Sequence, residues 1–288
     1  MSAVPSAPSE SSGCPELGSN RYDALDAPAL RTLLAQRDQQ LAEQGAALQA
    51  WTHAVSHDLR APLRHITSFA PLLRESVQAL RAGTPGADAE AEQFLVTMEQ
   101  AARRMAGMVD ALLLLSRVQR APLNPGPIDL AALAREASAR LHAAAPQRVV
   151  DWQLPAVPVL LHADAALLRQ LLDALLGNAF KFTQGRARAC IALTVDLEPG
   201  GLCWRVQDDG AGFDPARAQG LFGLFQRLHR EGEFDGVGGG LALAQAIVQR
   251  HGGRIAATAQ PGAGCVVTVH WPAAPAQPFA GVPGSVAA

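Results

Sequence analysis

The chain has 288 residues, 49% of them hydrophobic and 17% charged, with a formal net charge of −2. That length accommodates two ordinary domains with real cores, which excludes a disordered protein. The faintly acidic balance argues against nucleic-acid binding, which leaves a basic excess. No apolar run approaches the roughly 20 residues of a membrane helix. The N-terminus lacks the basic and apolar regions of a secretory signal, so a cytoplasmic protein is expected. Cys14, Cys190, Cys203 and Cys265 show no CxxC spacing, so neither a zinc site nor a disulfide framework is indicated. The last three fall in predicted strands, as small buried hydrophobes.

Residues 1–25, rich in Ser, Pro, Ala and Gly, read as a disordered tail too short for a folded domain. Residues 26–121 read as a coiled-coil lead-in followed by a helical hairpin. From Ala29 the pattern is helical, with Leu34, Leu41, Leu48 and Val55 at intervals of seven and Arg37 and Gln44 in the companion row. A weak coiled coil fits this pattern, and so does a single amphipathic helix. The first long helix should end near Leu80, where Ala82-Gly83-Thr84-Pro85-Gly86 breaks it. A second starts near Asp88, with Asp88, Glu90 and Glu92 at the end where the helix dipole favours anions. On it Leu95, Met98, Ala102, Met105, Val109, Leu112 and Ser116 form an a/d stripe. One antiparallel pair cannot bury so long a seam, whereas two copies forming a four-helix bundle can, which predicts a homodimer. Arg103 and Arg104 lie off the stripe and read as a solvated face.

The proline-rich run from Ala121 to Pro127 gives a linker at 122–127. Residues 128–272 then mix helices near 130–143, 164–182 and 241–251 with strands near 149–154, 159–162, 189–197, 202–207, 254–259 and 265–271. Helices on one face of a sheet predict a two-layer α/β sandwich. Residues 273–288 read as a second loose tail.

The most chemically loaded stretch is Ser56-His57-Asp58-Leu59-Arg60-Ala61-Pro62. A histidine nitrogen is a free base near neutral pH, and the adjoining carboxylate can orient the ring as one nitrogen attacks an electrophile. Pro62 removes the N–H that would bond the Asp58 carbonyl and crowds it, a helix defect of about 3 kcal/mol. The helix should therefore be loosened at His57. This stretch resembles the phospho-accepting box of bacterial sensor histidine kinases. His53, four residues before His57, could instead start a metal site given a third ligand, or be a packing or solvated neighbour.

Four later motifs, in order and spacing, resemble the ATP-binding boxes of the histidine kinase, gyrase and heat-shock-chaperone ATPase superfamily. In Leu175-Leu176-Gly177-Asn178-Ala179-Phe180-Lys181-Phe182, Asn178 and Lys181 share a helical face. Asn178 offers an oxygen to a hydrated Mg2+, and Lys181 offers a point charge to a phosphate. Ala174 stands where many relatives carry a second Asn. In Asp208-Asp209-Gly210-Ala211-Gly212 the resemblance gives Asp208 the adenine amino group, and Gly210 and Gly212 let backbone approach the base. Asp209, where Asn is usual, is open to a magnesium-adjacent or a loop role. Leu221-Phe222-Gly223-Leu224-Phe225 resembles the aromatic box beside the nucleotide lid. Gly236-Val237-Gly238-Gly239-Gly240 opens a helix whose N–H groups and dipole suit phosphates. Here Gly236, Gly238 and Gly240 are the expected contacts, with Val237 and Gly239 in place of the usual Thr and bulky aliphatic residue. The lid is accordingly expected to be unusually floppy. Gly262-Ala263-Gly264 fits either a family glycine turn or an ordinary hairpin turn.

The resemblance therefore implies an ATP- and Mg2+-dependent protein-histidine kinase. It would autophosphorylate on His57, with Asp58 polarising the ring, and pass the phosphoryl group to a response-regulator receiver aspartate. A homodimer and a separate sensor protein would be its further partners, with neither membrane nor nucleic acid involved. The segment Gln226-Arg227-Leu228-His229-Arg230 and the His57 box look most like kinases related to bacterial phytochromes. A nucleotide-binding scaffold acting by partner docking is the alternative that Ala174 and the altered glycine loop leave open.

Overall fold

The computed structural model describes residues 26–218, 220–228 and 233–273. Residues 1–25 and 274–288 of the expected tails, which include Cys14, lie outside the described residues, as do His229 and Arg230. The side chains of Gln44, Leu48 and His53 lie outside those described as well.

Helix α1, Ala27–Arg81, is continuous through Pro62 and Pro71. The chain divides into two compact units between Ala54 and Val55, inside this helix. In the first unit, Leu34 and Leu41 of the heptad row are 62% and 64% exposed. In the second unit, α1 is followed by α2, Ala87–Arg120, after a turn in which Gly86 has φ 82°. The Ser76 hydroxyl donates to Glu90 Oε2 at 2.7 Å, and Phe69 meets Phe94 with ring centroids 5.6 Å apart.

Within the chain α2 buries Ala101, Met108 and Leu115. These form a heptad row beside the predicted stripe, whose Leu95 and Val109 stay 42% and 43% exposed. Arg104 corrects one expectation. It is half-buried, and its pKa is lowered by burial and by Arg227, against the pull of Asp58. Arg103, in contrast, is exposed and pairs with Glu99 at 2.9 Å.

The expected linker is partly structured. Strand β1, Pro125–Asp129, pairs antiparallel with β3, Leu160–Asp164. Prolines are tolerated because this is a two-stranded sheet with free edges. Asp129 caps α3, Leu130–Ala144, accepting from Ala131 N at 3.0 Å and from Val159 N at 2.9 Å. Asp164 caps α4, Ala165–Phe182, accepting from Ala166 N at 3.0 Å and Leu167 N at 3.2 Å. The other end of α4 is closed by Arg148, which donates to the Phe180 carbonyl and to Thr183 Oγ1.

The main sheet contains β2 (Val150–Gln153), β4 (Ala189–Glu198), β5 (Gly201–Asp208), β6 (Arg254–Gln260) and β7 (Gly264–Pro272). Its order is β2-β4-β5-β7-β6, parallel between β2 and β4 and antiparallel elsewhere. Helix α5, Gly240–Arg250, joins α3 and α4 on one face. Alternation aims Ile191, Leu193, Trp204, Val206 and Val269 at Leu168, Leu171, Leu172, Leu175 and Ile247, all buried. The result is a helical region followed by a two-layer α/β sandwich, and it sets the ends of β5, α4 and α5 around one cavity.

Candidate functional site

Asn178 and Lys181 sit on the last turns of α4. A methyl group added at Gly240 would lie 3.6 Å from the Asn178 amide nitrogen, and one at Gly236 would lie 3.5 Å from Lys181 Nζ. The two side chains therefore face the glycine-rich loop and the first turn of α5. Together with Asp208, Gly212 and Gly238 they line a cavity of about 330 Å³. Leu175, Val206, Phe213, Leu243 and Val267 give it apolar walls, and Ala111 and Leu114 of α2 border it.

Asp208 ends β5 and is 7% exposed. Burial pushes its carboxyl pKa up to about 6, against the backbone N–H donors of Gly210 and Cys265. Gly210 does not line the cavity. Its N–H holds Asp208 Oδ1 at 2.9 Å, and a side chain there would strike the Phe182 carbonyl at 2.5 Å. Gly212 is required outright: its φ is 60°, and a Cβ would lie 1.9 Å from the Gln260 carbonyl oxygen. The structure gives Asp209 the loop role. Its Oδ1 accepts from Cys190 N at 3.0 Å, while Arg186 bonds the Asp209 and Gly262 carbonyls, each at 2.7 Å. Gly262 in turn donates to the Ala211 carbonyl at 2.7 Å, so the β6–β7 hairpin turn buttresses this loop.

Burial lowers the Lys181 pKa, with a further contribution from Arg227 and an opposing one from Asp235. Its ammonium lies 4.4 Å over the Phe182 ring. An ammonium that has lost water gains more from a phosphate than an exposed one does.

The glycine loop is anchored rather than free along its described length. Phe225 N–H donates to the Gly238 carbonyl at 3.0 Å, and Phe225 is buried with φ 62°, a strained conformation for an aromatic residue. The loop lies against α2. A methyl group at Gly239 would come within 2.8 Å of Ala111 Cβ, and one at Gly107 within 3.0 Å of Val237 Cγ1. At the far end of α5, Arg250 donates to the carbonyls of Val118 and Ala121.

His57 and Asp58 stand apart from this assembly, since neither lines the cavity. The His57 side chain is 70% exposed, and its Nδ1 lies 3.1 Å from Asp58 Oδ1. Nδ1 engaged with the carboxylate leaves Nε2 as the outward nitrogen. Pro62 is buried and lies inside the unbroken span of α1.

Two family models match the chain. Residues 47–121 match the His Kinase A (phospho-acceptor) domain, and residues 163–275 match the Histidine kinase-, DNA gyrase B-, and HSP90-like ATPase. The chain belongs to the histidine kinase family. It is similar to cyanobacterial phytochrome B of Nostoc sp., with 27% identity covering 77% of this chain and 29% of the relative. It is also similar to the sensor histidine kinase TrcS of Mycobacterium tuberculosis, with 36% identity covering 74% of this chain and 41% of the relative. The chain thus spans less than half the length of either. Among solved structures, the Acinetobacter baumannii histidine kinase AdeS aligns at a TM-score of 0.48 and 21% identity, covering 75% of this chain and 97% of that one. No helix among the described residues is long and apolar enough to cross a membrane.

Sequence reasoning missed the roles of two arginines. Arg227 lines the cavity, donates to the Phe234 carbonyl at 2.7 Å, and acts electrostatically on both Lys181 and Arg104. Arg104 thereby feels both the cavity side and Asp58. Helical arithmetic placed Arg104 off the apolar stripe, and only tertiary packing reveals what that face meets.

Proposed function

We propose that the protein is an ATP-dependent histidine kinase that phosphorylates itself on His57 and then passes the phosphoryl group to an aspartate of a response-regulator receiver domain. One observation carries the reading. A cavity with a buried carboxylate, an amide and an ammonium facing a glycine loop shares a compact unit with an exposed imidazole oriented by a carboxylate.

The residues fit a nucleotide. Apolar walls suit a purine, and the ionised Asp208 carboxylate would accept from its amino group. The loop N–H groups and the start of α5 would receive phosphate oxygens. Asn178 would hold Mg2+, and Lys181 would meet a phosphate. Bound Mg-ATP supplies the transferable phosphoryl group and the metal charge that neutralises its oxygens. His57 Nε2 is the nucleophile, while Asp58 holds the Nδ1 proton and offsets the positive charge that grows on the ring. Because His57 lies outside the cavity, transfer requires a rearrangement that parts the glycine loop from α2. The exposed Leu95 and Val109 on α2 support a homodimer seam. The absence of an apolar spanning helix among the described residues fits a cytoplasmic site of action.

The test is incubation of wild type and His57→Gln with ATP labelled at the terminal phosphate. Acid-labile, base-stable label is expected on wild type and none on the variant, which should still bind nucleotide. Label of that kind persisting on His57→Gln would place the acceptor elsewhere. Nucleotide binding without any label on wild type would favour the scaffold reading.

A further inference from the structure

We propose that Glu198, Cys203 and His270 form a zinc-class metal site on the face of the main sheet opposite the helices. Trp204, Val206, Val269 and Trp271 point into the core, so their neighbours Cys203 and His270 point to the other face. Those two residues are direct cross-strand partners between β5 and β7. Glu198 closes β4 at the hairpin, in register with Gly201. The Cys203 sulfur, a His270 ring nitrogen and a Glu198 carboxylate oxygen all lie within 4.8 Å of one another. His270 Nδ1 is 3.0 Å from Glu198 Oε2.

The arrangement is a bowl. Cys203 is completely buried at its floor, whereas the side chains of His270 and Glu198 remain 49% and 40% exposed at its rim. Sulfur, imidazole and carboxylate are the three donor types that zinc takes, and three protein ligands leave the fourth tetrahedral position to solvent. Tetrahedral zinc holds such donors roughly 3.3–3.6 Å apart. Two of the three sit on adjacent, fully paired strands, and the exposed glutamate and imidazole have rotamer freedom to close the remaining gap. Thiolate and imidazole together select zinc over the hard magnesium ion of a nucleotide site.

Without metal, burial holds the Cys203 thiol protonated, and Glu198 hydrogen-bonds it. Binding would exchange that S–H proton for a metal–sulfur bond and release the proton, with no change of oxidation state. Nearby Arg205 is paired with Asp196, and Arg254 lies opposite His270 in register on β6. The sequence signalled none of this, because the ligands come from three strands and show no motif spacing. The bound ion would tie the β4–β5 hairpin to β7.

The test uses the full chain, stripped of metal and free of nucleotide, titrated with Co2+ and in parallel with Zn2+. A thiolate-to-cobalt charge-transfer band saturating at one equivalent and displaced by Zn2+ is expected. It should be lost in Cys203→Ser and retained in Cys14→Ser and Cys190→Ser. Glu198→Gln and His270→Gln alter exposed side chains and leave the core intact, so they should fold and bind at least tenfold more weakly. At one zinc concentration, Zn2+ should raise the melting temperature of wild type more than that of these two variants. A missing band, a band surviving Cys203→Ser, or affinity unchanged in both rim variants would overturn the site.

Discussion

Asp208 holds its proton to a pH well above that of an exposed aspartate, and this has two measurable consequences. Its folded-state pKa of about 6 lies above the ordinary 3.8. Between those values the folded chain binds a proton that the unfolded chain has lost. This group's contribution to stability is therefore most favourable below about pH 4 and declines as pH rises to about 6, levelling above it. A purine amino group needs the ionised carboxylate, so binding runs the other way. Adenosine, which carries no phosphate to titrate, should bind progressively more weakly below pH 6, by up to about tenfold per pH unit. Calorimetric titration across pH 4.5 to 7.5 checks this, and flat affinity would separate Asp208 from the purine. Asp208→Asn should flatten the decline in stability. The motif Asp208-Asp209-Gly210-Ala211-Gly212 marked the site in the sequence because short-range chemistry is local. The loop role of Asp209 was open there, since its partner Cys190 belongs to a different strand.

At the scale of elements, the helix termini and turns carry the site. Gly238 has φ 80°, and a Cβ there would lie 2.7 Å from the Gln226 carbonyl oxygen. Gly238→Ala should therefore displace the loop and weaken ATP binding at least tenfold. It should leave the core melting transition nearly unchanged, because the residues a Cβ there would strike, Phe225 and Gln226, lie outside the main core cluster. Calorimetry of both processes on one sample is decisive, and unchanged affinity would mean the loop geometry is not used. Arg250 tests the contact between α5 and α2. Arg250→Ala removes the donors to the Val118 and Ala121 carbonyls, so limited proteolysis near Leu123 should accelerate. An identical cleavage rate would make those bonds incidental. Most elements of the ATPase domain are legible within a residue or two, because hydrophobic periodicity and caps such as Asp164 act locally. Strand β1 was not, because its prolines signal a break and its pairing with β3 is set by the tertiary fold. The contact of Gly239 with Ala111 was equally hidden, since the two residues are far apart in sequence.

For the molecule as a whole, the order of motifs along the chain made the family legible, whereas the packing of the glycine loop on α2 and the position of His57 outside the cavity required coordinates. The α2 stripe remains the strongest pointer to assembly. Leu95 and Val109 are 42% and 43% exposed on a helix whose adjacent row, Ala101, Met108 and Leu115, is already buried within the chain. Leu63 and Leu72 of α1 are also exposed, at 48% and 40%. Burying a side chain of this size contributes about 1.5–3 kcal/mol, and a two-fold seam uses each residue twice. Two glutamates placed in the seam would put four carboxylates at the centre of a helical bundle and remove that gain. Leu95→Glu combined with Val109→Glu should therefore weaken association by at least two orders of magnitude. In sedimentation the wild type should run at twice the chain mass and the double variant at the single-chain mass. Nucleotide affinity should be unchanged, because every residue of the cavity belongs to one chain. A variant that stays dimeric would move the seam to another face, and a wild type that is monomeric at every concentration would leave the stripe without a partner copy.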